Sequence, residues 1–444
     1  MRQIRTIAAN TFRLVFRRGT GLGVLSALAG IVVFIFFCAR GDGTLTGELR
    51  LRLRYSLAFA SVFLTLCSLF LACLSIRRDL DTKVMHVLTS YPLARWRLWA
   101  GKWCGMLAFA LCGWLVMLLS ATACGAFFRA RWIMRAEQAH LEPDFWRQQR
   151  EALPELPAFD ELVVQEYERR RREATLPAGA TLRDVRKELR AAVRREVQQV
   201  APNGEKTWTF DLGSIDVDGR DVVLEYIFFA REQRRIVRGV WMLEAVEGPG
   251  SYRAEVTAFP YTAGQLRIPA LALPADGRVR LTFKSEFSDY LVFNYQRSVK
   301  LLVDAGSLWT NVFVASACMV LHLGAVLALG MALATVLTLP VASFAGIVCY
   351  AVAVSTGFFS GVVAELASEE LGFGGMLSVW VSRLGLWLSI GLRPPAVLGR
   401  VCDGRSVLSE ALVRSWGIGF LQFSVCCVVF ALWSFSRKEI DRVH

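Results

Sequence analysis

Residue types that carry enzymatic chemistry are sparse in this sequence, and their spacing does not group them. The histidines stand far apart, at His86, His140, His322 and His444, so they predict no metal cluster. None of the 11 cysteines forms the C-x-x-C pattern of zinc sites. The nucleophile motif G-x-S-x-G and the zinc motif H-E-x-x-H are also absent. The sequence therefore predicts no catalytic residue, no metal site and no cofactor bound by this chain.

A loop for binding ATP phosphates is missing as well. The pattern G-x-x-x-x-G-K-[ST] needs a hydroxyl residue after its lysine. Gly101-Lys102 is followed by Trp103, and Trp96 stands where the first glycine would be. We therefore expect that this chain is not an enzyme and hydrolyses no ATP by that route.

One apolar segment contains residues that could bind a ligand or another helix. His322 is the only histidine in a long uncharged stretch, and polar residues at membrane depth are functional candidates. A neutral histidine bonded to a neighbouring helix is the simpler interpretation. On the same segment Gly324, Ala328 and Ala332 are four residues apart, a spacing that lets helices pack closely. That row could be a dimer face or an internal packing face.

Two further clusters have a functional and a simpler interpretation. Glu365, Glu369 and Glu370 could attract a cationic substrate, but a solvated loop explains them equally well. A set of aromatic residues between positions 208 and 290 could be a sugar-stacking platform, although such rings more often form a core. These aromatic residues are Trp208, Trp241, Tyr252, Tyr261 and Tyr290.

These residues must be positioned by membrane helices. Hydrophobic residues make up 54% of the chain, and a spanning helix needs about 20 apolar residues. A run of 60 uncharged residues is broken near Pro340 and therefore predicts a hairpin, which brings the total to six crossings. A cleaved signal peptide at the first run is disfavoured, because no small-x-small cleavage site follows it. The uncharged runs are residues 19–39, 55–76, 103–128, 305–364 and 415–436.

The charge distribution predicts the orientation of these crossings. The chain carries a formal charge of +13, but residues 129–304 hold 28 basic and 27 acidic residues and are nearly neutral. The excess therefore flanks the apolar runs, which disfavours nucleic-acid binding and follows the positive-inside rule. We expect a multi-pass protein of the cell (inner, cytoplasmic) membrane with both termini in the cytoplasm. Arg50, Arg52 and Arg54 argue against this orientation.

Two segments at the predicted cytoplasmic side have helical periodicity. Residues 1–18 alternate arginines with apolar residues, which indicates either a basic helix on the membrane face or an extension of the first span. Residues 77–102 form the only long cytoplasmic loop. In it, Leu80, Val84 and Val87 with Leu88 repeat at helical spacing, and Pro92 ends the pattern.

The large insert at residues 129–304 divides into two parts. Residues 129–203 are rich in charged residues and predict a helical hairpin or stalk. Residues 204–304 switch to period two and predict seven or eight short strands in a β-sandwich. The insert contains no cysteine and therefore no internal disulfide. The overall prediction is an α-helical polytopic membrane protein with an inserted extracytoplasmic α+β domain.

The membrane segments continue beyond the insert. Residues 305–444 are expected to form spans 4–6, as residues 1–128 form spans 1–3. Residues 371–392 are apolar but contain Arg383, which indicates an interfacial or partly re-entrant helix on the outer side instead of a seventh crossing.

Several segments together resemble the permease subunit of export-type ABC transporters, in its large-insert variety. The resemblance rests on IAANTFRLVFRR (7–18), RRDLDTKVMHVLTSYPLARWRLWAGKW (77–103), DAGSLWTNVF (304–313), TLPVASF (338–344) and FSRKEI (435–440). It covers about 260 residues of the membrane regions and leaves the insert out.

The resemblance implies a machine made of separate proteins. A soluble ATPase pair would carry the ATP and Mg²⁺, two permease chains would form the transmembrane unit, and lipids would surround it. The resemblance implies a coupling helix at residues 77–90 that docks on the ATPase, followed by a turn into the third span. The docking residues would be Arg77, Arg78, Leu80, Val84, Val87 and Leu88, and the turn residues Pro92, Arg95, Gly101 and Lys102.

Three other functions compete with export. ATP could drive motion of the outer domain without transport, and a closed helix bundle would favour that alternative. The chain could be a membrane-anchored binding module, but six spans exceed what an anchor needs. A polytopic membrane enzyme would need a catalytic constellation, which the sequence does not contain.

Overall fold

The structure is a computed structural model of the full chain. It describes all residues apart from 1, 18, 41–44, 83–93, 136–146, 156, 174, 176–181, 213–220, 231–234, 246–250, 274–276, 295–297, 368–379, 381–384, 386–389, 394–396, 408–409 and 441–444. The chain forms two compact units. The helical unit comprises Met1–Trp146 with Ser307–His444, and the sheet unit comprises Arg147–Gly306. The sequence-based insert begins earlier, at residue 129, because helix α4 of the helical unit continues to Arg135.

Long apolar helices build the helical unit. Five helical segments within the described residues are long and apolar enough to cross a membrane, so this is a polytopic membrane protein as predicted. The sixth predicted crossing lies in α10, whose shorter apolar stretch is Gly419–Ser434. The helices are α1 (Arg2–Arg17), α2 (Thr20–Cys38), α3 (Leu45–Asp81), α4 (Arg95–Arg135), α7 (Leu308–Val336), α8 (Leu339–Ala367), α9 (Val397–Cys402) and α10 (Glu410–Ile440).

Helix α7 is the centre of this unit. Every residue from His322 to Ala332 is buried, and the helix packs on α3, α4, α8 and α10. A helix that is apolar on all sides needs such a surrounding layer. The 60-residue run divides after Val336, and α8 starts at Leu339 with Pro340 in its first turn, where a missing N–H costs nothing.

Helix α1 is separate from the first span and packs along α4. Gly19 adopts a left-handed φ of 73° between α1 and α2. Helices α1 and α4 run parallel, because their contacts move toward higher residue numbers in both helices. Gln3 accepts a hydrogen bond from Arg97, and the ring of Phe16 lies 5.7 Å from that of Phe109. The apolar face of α1 is therefore covered by α4.

The three arginines that oppose the predicted orientation lie on α3, and two of them are paired. Arg52 Nε bonds Glu48 at 2.8 Å, and its Nη1 donates to the Phe36 carbonyl at the end of α2. Arg54 bonds Asp403 at 3.2 Å. Local partners therefore explain why these charges are tolerated there.

The described residues of the sheet unit contain eleven strands in three sheets. Sheet 1 has the order β1-β11-β4-β8, sheet 2 β2-β10-β5 and sheet 3 β3-β9-β6-β7. All assigned pairings are antiparallel, for example Trp208 opposite Leu281. The strands are β1 (Arg147–Ala152), β2 (Gln199–Val200), β3 (Glu205–Asp211), β4 (Val222–Tyr226), β5 (Phe229–Ala230), β6 (Val237–Ala245), β7 (Ser251–Ala258), β8 (Gly264–Ile268), β9 (Arg278–Ser285), β10 (Leu291–Val292) and β11 (Val299–Ser307).

Aromatic side chains fill the core of the sheet unit. Trp208 and Trp241 are buried in it, which excludes both from a sugar-stacking platform. Trp241 contacts Phe283 of its own sheet at 4.7 Å between ring centroids and Tyr226 of sheet 1 at 5.3 Å. Residues of sheets 1 and 3 thus share one hydrophobic cluster. Of the remaining candidates, Tyr261 and Tyr290 are about half exposed, whereas Tyr252 donates its hydroxyl to the Arg267 carbonyl.

A helical hairpin precedes most of the strands. Helices α5 (Phe159–Arg172) and α6 (Leu182–Gln198) bury Val163, Leu189 and Val193 between them. Strand β1 lies ahead of this hairpin, in a segment whose charged composition indicated a helix. The partly buried ion pair between Glu151 and Lys300, at 3.3 Å, joins β1 to β11. Most of the predicted interfacial helix at 371–392 lies outside the described residues, as do Glu369 and Glu370.

Candidate functional site

The predicted coupling loop connects the end of α3 with the start of α4. Arg77, Arg78 and Leu80 belong to the last turns of α3, which runs without a break from the second span to Asp81. Leu80 packs on the core of the helical unit, so it is not a free docking residue. Val84, Val87, Leu88 and Pro92 lie outside the described residues. Whether they dock a partner stays a prediction.

A buried ion pair joins the two helices that flank this loop. The Lys102 side chain is 6% exposed, and its ammonium donates to Asp79 of α3 and to the Ser75 carbonyl at 3.1 Å. A charge removed from water must be paired and hydrogen-bonded, and this geometry provides both. Lys102 was predicted to help set a turn into the third span. Instead it lies inside α4 and ties α4 to α3.

Two more residues assigned to that turn, Arg95 and Gly101, also lie in α4. Arg95 is its first residue. Gly101 faces α1, where an added Cβ would come within 2.8 Å of the Ile7 side chain. Gly105 lies even closer to α1, since an added Cβ would lie 2.5 Å from the Ala8 carbonyl oxygen. The two glycines therefore allow α1 and α4 to approach, so Gly101 has a packing function.

A tryptophan connects this end of α4 to the central helix α7. The Trp103 indole N–H donates to the Gly324 carbonyl at 2.9 Å. A Cβ at Gly324 would lie 3.0 Å from the Trp103 ring and 3.1 Å from Phe420 of α10. Trp103 also stacks on Trp99 at an interplanar angle of 12°. Gly324 is thus the contact point of three helices.

The row of small residues on α7 is an internal packing face. Ala328 and Ala332 are buried in the same core as Gly324, inside one chain. A glycine that the sequence analysis did not single out extends this function: a Cβ at Gly330 would lie 2.9 Å from Ala72 of α3. The Cys73 thiol of α3 donates to the Gly330 carbonyl at 3.4 Å.

His322 lies about two turns before Gly330 on α7 and is 1% exposed. Its ring is 6.0 Å from that of Tyr350 on α8. Within the described residues neither ring nitrogen has a hydrogen-bond partner. The interhelical bond that the sequence favoured is therefore not formed in this conformation.

The described contacts form one network. It runs from Asp79, near the end of α3, through Lys102 and Trp103 of α4 to Gly324 of α7. The described residues contain no group of His, Cys, Asp or Glu that could hold a metal ion. Neither the pairing of Asp79 with Lys102 nor the hydrogen bond between Trp103 and Gly324 was predicted from the sequence. The available signal was position, because Asp79 and Lys102 each stand just outside an uncharged run.

Comparisons with known proteins identify no family for this chain. No protein-family model matches the sequence, and neither the curated proteins nor the solved structures contain a match. The ABC permease resemblance therefore remains a prediction that rests on the residues quoted for it.

Proposed function

We propose that this chain is the transmembrane subunit of an ATP-driven exporter that works with a separate ATPase. One observation carries the proposal: the two helices flanking the 83–93 loop are tied together by the buried Lys102–Asp79 pair. A force on that loop would move α3 and α4 as one body. Through Trp103 the movement would reach α7, the helix at the centre of the unit.

Finer features of the architecture belong to the same proposal. Six helices cross the membrane and place both termini in the cytoplasm, as the basic flanks favour. Sheets 1 and 3 face each other as a β-sandwich, a packing that their shared aromatic cluster supports. Two copies of the chain, or this chain and a related one, bind an ATPase pair.

Co-purification from mild detergent in the native host tests this function. We expect the parent protein to recover an ATP-hydrolysing subunit. The double variant Val84→Asp/Leu88→Asp should lose it, because charges replace the apolar stripe of the loop. Leu80 stays unchanged since it packs on the core. The matched control is Leu271→Asp, at a side chain of the sheet unit that is 99% exposed.

The proposal requires that the loop variant folds like the parent protein, with the same expression and unfolding midpoint. ATPase activity recovered with parent and control but not with the loop variant would support it. Equal recovery with all three proteins would remove the loop from the docking site. An eluate without ATPase activity from any of them would contradict the exporter.

A second function is motion of the sheet unit without transport. Strand β11 ends at Ser307 and α7 begins at Leu308, so the two elements are consecutive in the chain. A fluorophore on Tyr290→Cys should then respond to ATP in the co-purified complex. A flexible Gly-Ser insertion after Ser307 should abolish the response but leave ATP hydrolysis intact.

A further inference from the structure

Helix α1 presents a row of arginines away from the protein. Arg2, Arg5, Arg13 and Arg17 are all exposed, and helical spacing places them on one face. Helix α1 contains no aspartate or glutamate. In the described part of the chain none of the four arginines has an ion-pair partner. The face therefore offers four guanidinium groups to an external anion.

The position of α1 beside α4 separates these arginines into two pairs. Gln3 is level with Arg97, and Phe16 is level with Phe109. The uncharged run of α4 begins between those levels, at Trp103. That level falls midway between Gln3 and Phe16 on α1, so Arg13 and Arg17 lie about 5 Å and about 11 Å beyond it, beside the uncharged part of α4. Arg2 and Arg5 lie about 17 Å further out along the helix, at 1.5 Å per residue.

That separation exceeds the thickness of a lipid headgroup layer, which is about 5–7 Å on each side of the hydrocarbon core. The inner pair lies beside the apolar surface, so its charged ends must extend back toward the headgroups, as long arginine side chains do. Leu14 stands between the two inner arginines in the sequence and is 45% exposed. Further along, Leu22 and Phe34 of α2 are 61% and 69% exposed, which is typical of a surface that faces lipid chains.

We infer that Arg13 and Arg17 bind the phosphate of an anionic phospholipid in the leaflet that α1 enters. Residues four apart on a helix have Cβ atoms about 5–6 Å apart, so both guanidinium groups can reach one phosphate. The planar guanidinium group forms paired hydrogen bonds with phosphate oxygens. Because α4 covers the apolar face of α1, the helix is held with this pair turned outward. The inference does not depend on the exporter proposal.

Native mass spectrometry of the purified full-length protein in neutral maltoside detergent tests this site. Dioleoyl-phosphatidylglycerol, dioleoyl-phosphatidylcholine and inorganic phosphate are titrated separately. The test variant is Arg13→Gln/Arg17→Gln. The matched control, Arg2→Gln/Arg5→Gln, removes the same charge from the same helix face. Arg13→Lys/Arg17→Lys keeps the charge but not the paired hydrogen bonds.

We expect the parent protein to retain phosphatidylglycerol in preference to phosphatidylcholine. The inner double variant should bind it about thirty-fold more weakly, since each basic residue near an anionic surface contributes about five-fold. The lysine variant should fall between them, and the outer variant should stay near the parent. Inorganic phosphate at the lipid concentration should not displace the lipid, because it lacks the chains that contact Leu14.

Other outcomes would overturn the inference. Equal losses in the inner and outer variants would indicate general charge attraction. Displacement by inorganic phosphate would indicate a free-anion site. Loss of a co-purifying acidic protein from the outer variant alone, with unchanged lipid binding in the inner variant, would assign the face to a soluble partner. All variants must keep the parent's unfolding midpoint in lipid-free detergent.

Discussion

The indole of Trp103 on α4 donates its N–H to the Gly324 carbonyl on α7, at an N···O distance of 2.9 Å. We predict that Trp103→Phe keeps most of the ring packing but loses this hydrogen bond, at a cost of about 0.5–1.5 kcal/mol. Unfolding in detergent by a denaturant series measures the change. Trp96→Phe is the control, because Trp96 is 51% exposed and the variant should match the parent. An equal loss of unfolding free energy in both variants would show that the Trp103–Gly324 hydrogen bond does not contribute to stability.

The Lys102–Asp79 pair should be strongly coupled. Asp79→Asn leaves the Lys102 ammonium buried without a counter-charge, which should cost about 3 kcal/mol. The double variant Lys102→Met/Asp79→Asn removes both charges and should recover most of that loss. A double-mutant cycle on unfolding free energies tests this coupling. Additive effects of the two single variants would mean that the two charges do not interact.

Replacing a glycine by alanine should lower the unfolding free energy on α4 and raise it on α2. Gly105→Ala places a Cβ 2.5 Å from the Ala8 carbonyl oxygen, so α1 must move away, and we expect a loss of about 1–3 kcal/mol. Gly30→Ala meets nothing within 4 Å and should gain up to about 1 kcal/mol from helix propensity. Unfolding midpoints of both variants decide the question. A stabilised Gly105→Ala protein would contradict the tight α1–α4 contact.

Lys206 should make the stability of the sheet unit depend on pH. Burial lowers the pKa of Lys206 to about 8, and the nearby Glu196 carboxylate opposes this shift only in part. Between about pH 8 and the ordinary lysine value near 10.5, the unfolded chain binds more protons than the folded one. Stability therefore rises with pH across that window. Amide hydrogen exchange in β3 and β9, corrected for intrinsic rates, should show the rise.

The matched comparison for this pH dependence is with two methionine variants. Lys206→Met should remove the slope between pH 8 and 10, whereas Lys284→Met should keep it, because Lys284 is exposed on β9. A slope that persists in Lys206→Met would assign the titration to a different group.

The sequence by itself determined the membrane character and the main segments of this protein. Spanning helices need long uncharged runs, and the runs at residues 19–39, 55–76 and 103–128 all lie in helices that are long enough. Period-two alternation around Val279 and Leu281 predicted strands that the structure contains as β9. The break near Pro340 separates α7 from α8 because proline fits the first turn of a helix. Such local signals depend only on neighbouring residues.

Only the tertiary structure decided which residues work together. Periodicity cannot reveal that Lys102 binds Asp79, since 22 residues separate them and the loop between them sets no distance. Gly101 was assigned to a turn by the ABC permease resemblance, whereas its constraint in the structure comes from Ile7 on another helix. Strand β1 was missed because its charged residues show no strand pattern, and its pairing with β11 was not visible in the local sequence. Contacts between distant segments are set by packing, and packing is a property of the whole fold.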